Sequence, residues 1–211
     1  MRGNSDETQS LLDRAKNGDQ AAFEALFRRH REKLLRAIAL RMDRRVATRV
    51  DASDVLQETY LEAFRRLPRY LQEQPMPLYL WLCWLAREKV LALHRRHLGA
   101  EKRAVTHEAP PLPADSSATF VSAVIAGHEP SPSQALAKAE LAERLRLALG
   151  QLDDDERDLI LWRHFEQLSA RDTAQLLEIS EAAASKRYIR AVERLRRILV
   201  GLGVSGPGQV R

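Results

Sequence analysis

Cysteine is almost absent from this 211-residue sequence, since Cys83 is its single example. One thiol excludes an internal disulfide framework and any metal site built on paired cysteines, which fits the reducing cytoplasm. No apolar run approaches the roughly 20 residues of a transmembrane helix, so no membrane span is expected. The polar N-terminus, MRGNSDETQS, has no apolar segment of the kind found in secretory signals. We therefore expect a cytoplasmic protein.

Motifs for catalysis and for cofactor binding are also missing. The sequence has no Gly-rich phosphate loop and no nucleophile elbow. His94 and His97 lie three residues apart on one predicted helix, but no third ligand completes a metal site. A helical nuclease would need a carboxylate metal cluster, which cannot be assembled from the sequence. We expect no enzymatic activity, no cofactor and no metal.

Glycine and proline are scarce except in a central stretch and at the C-terminal end. Elsewhere the apolar residues recur at helical spacing, and no convincing strand alternation is found. The proline-rich residues 99–133 predict a long flexible linker, with a short apolar anchor at FVSAVIA, residues 120–126. The fold expected is all-α, with two small helical domains at 9–98 and 134–200 and a disordered tail at 201–211.

Charge is distributed unevenly along the chain. The net charge of +5 favours an anionic partner, most often nucleic acid. Against this background, DASDVLQETYLEAF, residues 51–64, contains four carboxylates and no lysine or arginine. Asp51 is a good N-cap, so capping explains part of the acidity. The remainder is either a solvated helix face or a docking surface for a basic protein.

The C-terminal part has the pattern of a helix–turn–helix unit. Ser169 and Asp172 form a predicted capping box on a short helix, and a turn at Glu178 leads into a basic helix. A left-handed backbone at Glu178, where glycine is common, would cost about 1 kcal/mol. Residues predicted to reach base edges are Glu181, Ala182, Ser185 and Lys186, and those predicted to lie beside phosphates are Arg187, Arg190 and Arg194.

Aromatic and basic residues are interleaved in the third helical segment of the first domain. Stacking platforms next to cations are typical of single-stranded DNA binding. The predicted DNA contacts are Tyr70, Tyr79, Arg87, Lys89, Arg95 and Arg96. Trp81 is predicted instead to fill the core.

Taken in order, these motifs resemble the extracytoplasmic-function (ECF) sigma factors of bacterial RNA polymerase, over roughly residues 9–200. DASDVLQETYLEAFRR, residues 51–66, resembles the acidic region 2.2 of that family. Residues 81–96, WLCWLAREKVLALHRR, are similar to regions 2.3 and 2.4, and residues 149–199 are similar to region 4. The resemblance implies a transcription initiation factor that directs core RNA polymerase to specific promoters.

The resemblance also implies roles for individual residues. It implies that Asp51, Asp54, Gln57 and Glu58 dock on the clamp helices of the largest polymerase subunit, with a further polymerase contact at the flap. Residues 70–84 would capture the promoter −10 element, and the helix at 181–194 would bind the −35 element. Ser53 stands where the family usually has an acidic residue, and we hypothesise that its phosphorylation restores negative charge. An anti-sigma factor or a Ser/Thr kinase is therefore an expected regulatory partner.

Five further positions depart from the family pattern. Glu88 replaces a common asparagine, which leaves the −10 preference open, and Gln167 replaces a frequent turn glycine. Ala182–Ala184 replace a Gly-Thr-Val run and offer small apolar contacts, for example to thymine methyl groups. The alternative interpretation is a LuxR-like helix–turn–helix regulator that dimerises on a palindrome. The acidic helix argues against it.

Overall fold

All regular structure in the part of the chain that the structure describes is helical, which confirms the all-α prediction. The computed structural model describes residues 2–42, 44–47, 49–98, 120–121 and 135–204. The chain divides into two compact units, residues 1–109 and 110–211. The division falls inside the predicted linker, most of which lies outside the described residues, as does the predicted tail beyond residue 204. No helix in the described ranges combines the length and the apolar character that crossing a membrane requires.

The first unit is a bundle of helices around one apolar core. Its helices are α1 (Arg2–Lys16), α2 (Gln20–Arg41), α3 (Arg44–Ala47), α4 (Ala52–Glu73) and α5 (Leu78–Leu98). Phe23, Leu26 and Ile38 of α2 are completely buried, as are Leu82 and Leu85 of α5. Helix α4 packs on both α2 and α5, so the face of α4 opposite these contacts remains in solvent.

Helix α4 begins and ends at defined signals. The side chain of Asp51 accepts a hydrogen bond from the backbone N–H of Ser53 at 2.9 Å, which confirms Asp51 as the N-cap. The helix continues through Pro68 and ends at Gln74, whose φ of 37° is left-handed. Tyr70 therefore lies on the last turns of α4 and not in a loop.

The second unit contains the helix–turn–helix pattern that the sequence predicts. Its helices are α6 (Ala135–Leu149), α7 (Asp154–Ile160), which continues as a π-helical turn (Leu161–Phe165), α8 (Ala170–Leu176) and α9 (Glu181–Gly201). Both hydrogen bonds of the Ser169–Asp172 capping box are present. Glu178 and Gln167 have φ values of 54° and 59°, so both positions expected to favour glycine are left-handed.

Part of the predicted apolar anchor is bound to the second unit. Phe120 and Val121 are buried, and the Phe120 ring stacks on His164 with centroids 3.9 Å apart. Phe165 meets the same ring edge-on at 5.9 Å. The anchor is thus confirmed for these two residues, and the rest of FVSAVIA lies outside the described residues.

Candidate polymerase-binding and nucleic-acid-binding surfaces

The first two turns of α4 present an acidic surface, which we define as Asp51, Asp54, Gln57 and Glu58. All four residues are exposed. Within the described ranges, none of the three carboxylates forms an ion pair. The opposite side of these turns is anchored by Val55, Leu56 and Thr59, and the Thr59 hydroxyl donates to the carbonyl of Val55 at 2.7 Å. Burial of this side forces the acidic surface outward, where its charge is available to a partner.

The fourth carboxylate of the acidic stretch has a different environment. Glu62 accepts hydrogen bonds from Arg66 at 2.6 Å and from Lys89 of α5 at 3.1 Å. These two bonds, that from Lys89 foremost, lower the pKa of Glu62 below its ordinary value. Arg66 also donates to Glu88 at 3.1 Å. Glu62 therefore joins α4 to α5, and its charge is compensated within the protein.

Tyr70 is placed differently from the predicted stacking platform. It is 5% exposed, and its ring stacks on Trp81 with centroids 4.3 Å apart. Its hydroxyl donates to the carbonyl of Met76 at 3.0 Å, and burial raises its pKa to about 12. In this conformation the ring belongs to the core, because stacking on a base would require its separation from Trp81. The core position predicted for Trp81 is confirmed.

The other residues predicted to contact single-stranded DNA lie along α5. Arg95 and Arg96 are exposed at its C-terminal end, and Arg87 is half-buried. Lys89 forms the ion pair with Glu62 described above. Tyr79 is half-buried near the start of α5.

Tyr79 has two neighbours on α2 that the sequence did not predict. The Lys33 ammonium lies 5.2 Å from the Tyr79 ring centroid, and the His30 ring centroid lies 5.1 Å away. Burial, together with Lys33 and Arg29, lowers the pKa of His30. The imidazole and the lysine thus share the tyrosine surface. No sequence signal connects α2 to this position, because the contact depends on how the two helices pack.

Helix α9 presents its predicted base-contacting residues to solvent. Glu181, Ala182, Ser185 and Lys186 are all exposed. The Ser180 hydroxyl caps the helix by accepting from the N–H of Ala183 at 3.2 Å. The buried stripe consists of Ala184, Ala191, Leu195 and Leu199, with Tyr188 half-buried beside it.

Two of the three arginines predicted beside phosphates contact carboxylates of α7. Arg187 lies 3.6 Å from Asp155, and Arg194 lies 2.7 Å from Glu156 and 3.6 Å from Asp153. Arg190, between them in sequence, is exposed and has no ion pair in the described part of the chain. No local sequence signal predicts these contacts, because they depend on how α7 and α9 pack.

A further arginine supports the helix–turn–helix unit. Arg163 donates to the carbonyl of Leu168 at 2.7 Å, and its guanidinium lies 5.7 Å from the Tyr188 ring centroid. Burial raises the pKa of Tyr188, and the charge of Arg163 opposes that shift. Arg163 therefore connects the π-helical turn to both the loop and α9.

No cluster of three or more histidine, cysteine, aspartate or glutamate side chains suited to a metal ion occurs among the described residues.

Two family models match the chain. Sigma-70 region 2 matches residues 26–98, and sigma-70 region 4 matches residues 142–195. The first span contains the acidic surface and α5, and the second contains α7, α8 and most of α9.

Several curated proteins are similar over most of the chain. The RNA polymerase sigma factor CarQ of Myxococcus xanthus is 31% identical over 191 residues, covering 89% of this chain and 95% of CarQ. The RNA polymerase sigma-H factor of Pseudomonas aeruginosa is 27% identical over 200 residues, covering 92% of this chain and 94% of that protein.

Two solved structures share the fold. CnrH, determined in complex with the cytosolic domain of CnrY, has a TM-score of 0.60 at 22% identity and covers 92% of this chain and 98% of its own. The sigma factor RpoE of Bartonella quintana, in complex with the anti-sigma factor NepR, has a TM-score of 0.58 at 18% identity, covering 84% and 96%. At these identities the likeness concerns the fold alone.

Proposed function

Because the chain belongs to the sigma-70 family, as an ECF RNA polymerase sigma factor, we propose that its two units divide promoter recognition between them. The protein is a transcription initiation factor that binds core RNA polymerase and directs it to promoters. The first unit would dock on the polymerase and capture the −10 element, and the second would bind the −35 element. The observation that carries this division is the exposed acidic surface on α4, whose carboxylates form no ion pair in the described ranges although the protein as a whole is basic.

The acidic surface is the proposed polymerase contact. Asp54 and Glu58 lie one helical turn apart, exposed and without ion pairs in the described ranges, so a basic helix of the largest subunit could meet both. Glu62 supplies a matched control, since it lies one turn further along α4 but is bonded to Lys89 and Arg66. We expect Glu58→Gln to weaken association with core polymerase and Glu62→Gln to leave it within twofold. Association is measured by fluorescence anisotropy of labelled full-length protein, and equal losses in both variants would contradict the assignment.

The −10 contact is proposed for α5 and its flanking loop. Arg95 and Arg96 are the most accessible of the cations predicted there, whereas Lys89 must leave Glu62 to reach a phosphate. Tyr79, Arg87 and Tyr70 complete the proposed set, with Tyr70 acting through the packing of Trp81 in the observed conformation. Permanganate footprinting of promoter complexes tests the proposal. We expect the Arg95→Ala, Arg96→Ala double variant to bind polymerase normally but to lose reactivity of unpaired thymines.

The −35 contact is proposed for the N-terminal turns of α9. In a helix–turn–helix unit these turns enter the major groove, and Ser185 and Lys186 are exposed there. A base-contacting residue is expected to contribute about 1–3 kcal/mol of discrimination at one base pair. Glu181 and Ala182 are the other proposed base contacts, and the same unit is proposed to contact the polymerase flap. A Lys186→Ala variant that retains the full base preference at every upstream position would contradict the placement of Lys186.

Regulation by a protein partner is a further part of the proposal. CnrH and the Bartonella quintana RpoE were each determined with a partner, and the RpoE partner is an anti-sigma factor. We propose that an anti-sigma factor or a Ser/Thr kinase controls this chain. Ser53 is the proposed phosphorylation site, because it is exposed in the first turn of α4 beside Asp51 and Asp54. If Ser53→Asp binds and activates core polymerase no better than Ser53→Ala, phosphorylation is not the switch.

The LuxR-like alternative is not favoured, because the first unit matches sigma-70 region 2 over residues 26–98. We propose that the protein performs no covalent chemistry. Binding energy from duplex contacts and captured unpaired bases would offset the cost of opening the promoter. We also propose that it acts in the cytoplasm, where the polymerase and the chromosome are found.

A further inference from the structure

The cations in the first 14 residues of α9 fall into two groups. Arg187 and Arg194 are held by carboxylates in the first turn of α7, at distances of 2.7–3.6 Å. Lys186 and Arg190 are exposed and form no ion pair among the residues that the structure describes. All four cations lie within the first 14 residues of the same helix, so the difference arises from what α7 places beside them.

The carboxylates beside Arg187 and Arg194 disfavour the binding of a phosphate by these two arginines. Asp153, Asp155 and Glu156 supply three carboxylates against the two guanidinium groups of Arg187 and Arg194. Asp154, the remaining acid of this turn, is paired with Arg157. A phosphate approaching Arg187 or Arg194 would therefore have to compete with carboxylates that these arginines already contact. Lys186 and Arg190, by contrast, form no ion pair with a carboxylate of the described ranges.

The contacts also constrain the orientation of α9. Arg187 and Arg194 are seven residues apart, which places them two turns apart on one side of the helix. The positions of Asp153 and Glu156 are themselves fixed, because the Asp153 side chain caps α7 by accepting a hydrogen bond from the N–H of Glu156 at 2.8 Å. A capped turn thus contacts α9 at two points along its length, which limits rotation of the helix about its axis.

From these contacts we propose that Asp153, Asp155 and Glu156 are positioning residues, which fasten α9 to α7 through Arg187 and Arg194. The phosphates of the −35 element are contacted by Arg190, and not by Arg187 or Arg194, while Lys186 keeps its proposed base contact. This inference rests on the proposed −35 function of α9 and revises the sequence-based prediction for two of its arginines.

The salt dependence of DNA binding separates the two groups of cations. Loss of one phosphate contact reduces the slope of log K against log salt concentration by about 0.9 for duplex DNA. We expect Arg190→Ala to reduce the slope by about this amount and Arg194→Ala to leave it unchanged. The probe is full-length protein with a duplex that carries the upstream element of a promoter mapped with this protein. A slope that falls equally in both variants would overturn the proposal.

A charge exchange tests the fastening role itself. We expect Arg194→Ala to lower the thermal midpoint of the second unit by a few degrees, whereas Arg190→Ala leaves it unchanged. The double variant Glu156→Arg, Arg194→Glu should restore the midpoint and keep the wild-type salt slope. If Arg194 contacts a phosphate, the exchange instead weakens DNA binding, because a carboxylate replaces the contacting cation.

A scrambled duplex of equal length keeps this test separate from the proposed function. Wild-type protein that does not distinguish the promoter duplex from the scrambled one would refute −35 binding. The salt slopes of Arg190→Ala and Arg194→Ala would then still differ from each other on either duplex. If the wild-type protein prefers the promoter duplex but the two variants have equal salt slopes, −35 binding stands. Only the proposed difference between Arg190 and Arg194 is then refuted.

Discussion

Asp51 is proposed to perform two tasks that one pair of substitutions can separate. Its carboxylate caps α4 through the N–H of Ser53, and its exposed charge belongs to the acidic surface. Asp51→Ala removes both the cap and the charge. Asp51→Asn removes the charge but keeps a side-chain oxygen that can accept the same hydrogen bond, since asparagine and aspartate are similarly good N-caps.

The structure sets the expected magnitudes. Loss of an N-cap costs about 1 kcal/mol, which corresponds to a decrease of about 4–8 °C in the thermal midpoint of a unit of 60–100 residues. Asp51→Asn should cost a few tenths of a kcal/mol or less. A surface ion pair with the polymerase contributes at most about 1 kcal/mol, so both variants should raise the dissociation constant for core polymerase by up to about fivefold.

Three measurements check this prediction. Hydrogen exchange at the first-turn amides of α4 reports the cap, thermal unfolding reports the stability of the unit, and anisotropy reports association with core polymerase. The capping argument is refuted if Asp51→Asn exchanges and unfolds as Asp51→Ala does. The docking argument is refuted for this residue if Asp51→Asn binds polymerase as tightly as the wild-type protein.

Three other substitutions test the structure independently. Glu62 has a folded pKa below its ordinary value of 4.5, so its contribution to stability is present above pH 4.5 and is lost as the pH falls through the folded pKa. Glu62→Gln should therefore abolish this part of the acid sensitivity of the first unit in a series of thermal melts. Phe120→Ala removes a ring that is 3% exposed and should destabilise the second unit by about 3 kcal/mol in urea unfolding. An unchanged urea midpoint would mean that the packing of Phe120 on His164 contributes nothing to stability. Glu178→Gly removes the cost of the left-handed backbone at φ 54°, but it also makes the unfolded chain more flexible. The net gain in the free energy of unfolding should be about 0.5 kcal/mol, and Glu178→Ala should give no such gain.

Local signals in the sequence predicted the helices and their ends well. Asp51 and the Ser169–Asp172 capping box act within three residues of chain, so they can be recognised without knowing the tertiary structure. The left-handed positions at Gln167 and Glu178 were likewise expected from the turn they occupy. The acidic surface points outward because Val55, Leu56 and Thr59, at helical spacing on the other side of α4, are buried.

Contacts between distant helices were not predictable in the same way. Glu62 and Lys89 are 27 residues apart, and Arg194 and Glu156 are 38 apart, so only the packing of α4 on α5 and of α7 on α9 brings them together. Tyr70 shows the same limit, because its burial depends on α4 continuing past Pro68 and on Trp81 of the next helix. The sequence identified the charged residues, but the structure was needed to distinguish those paired within the protein from those available to a partner.

Promoter-directed initiation is the most direct test of the central claim. Purified core RNA polymerase from the source organism would transcribe its genomic DNA with and without this protein, and transcript starts would be mapped by sequencing. We predict new starts that share two upstream elements, and their loss when Asp54→Asn and Glu58→Gln are combined. Absence of new starts, together with no association between the protein and core polymerase, would contradict its assignment as a sigma factor that docks through the acidic surface.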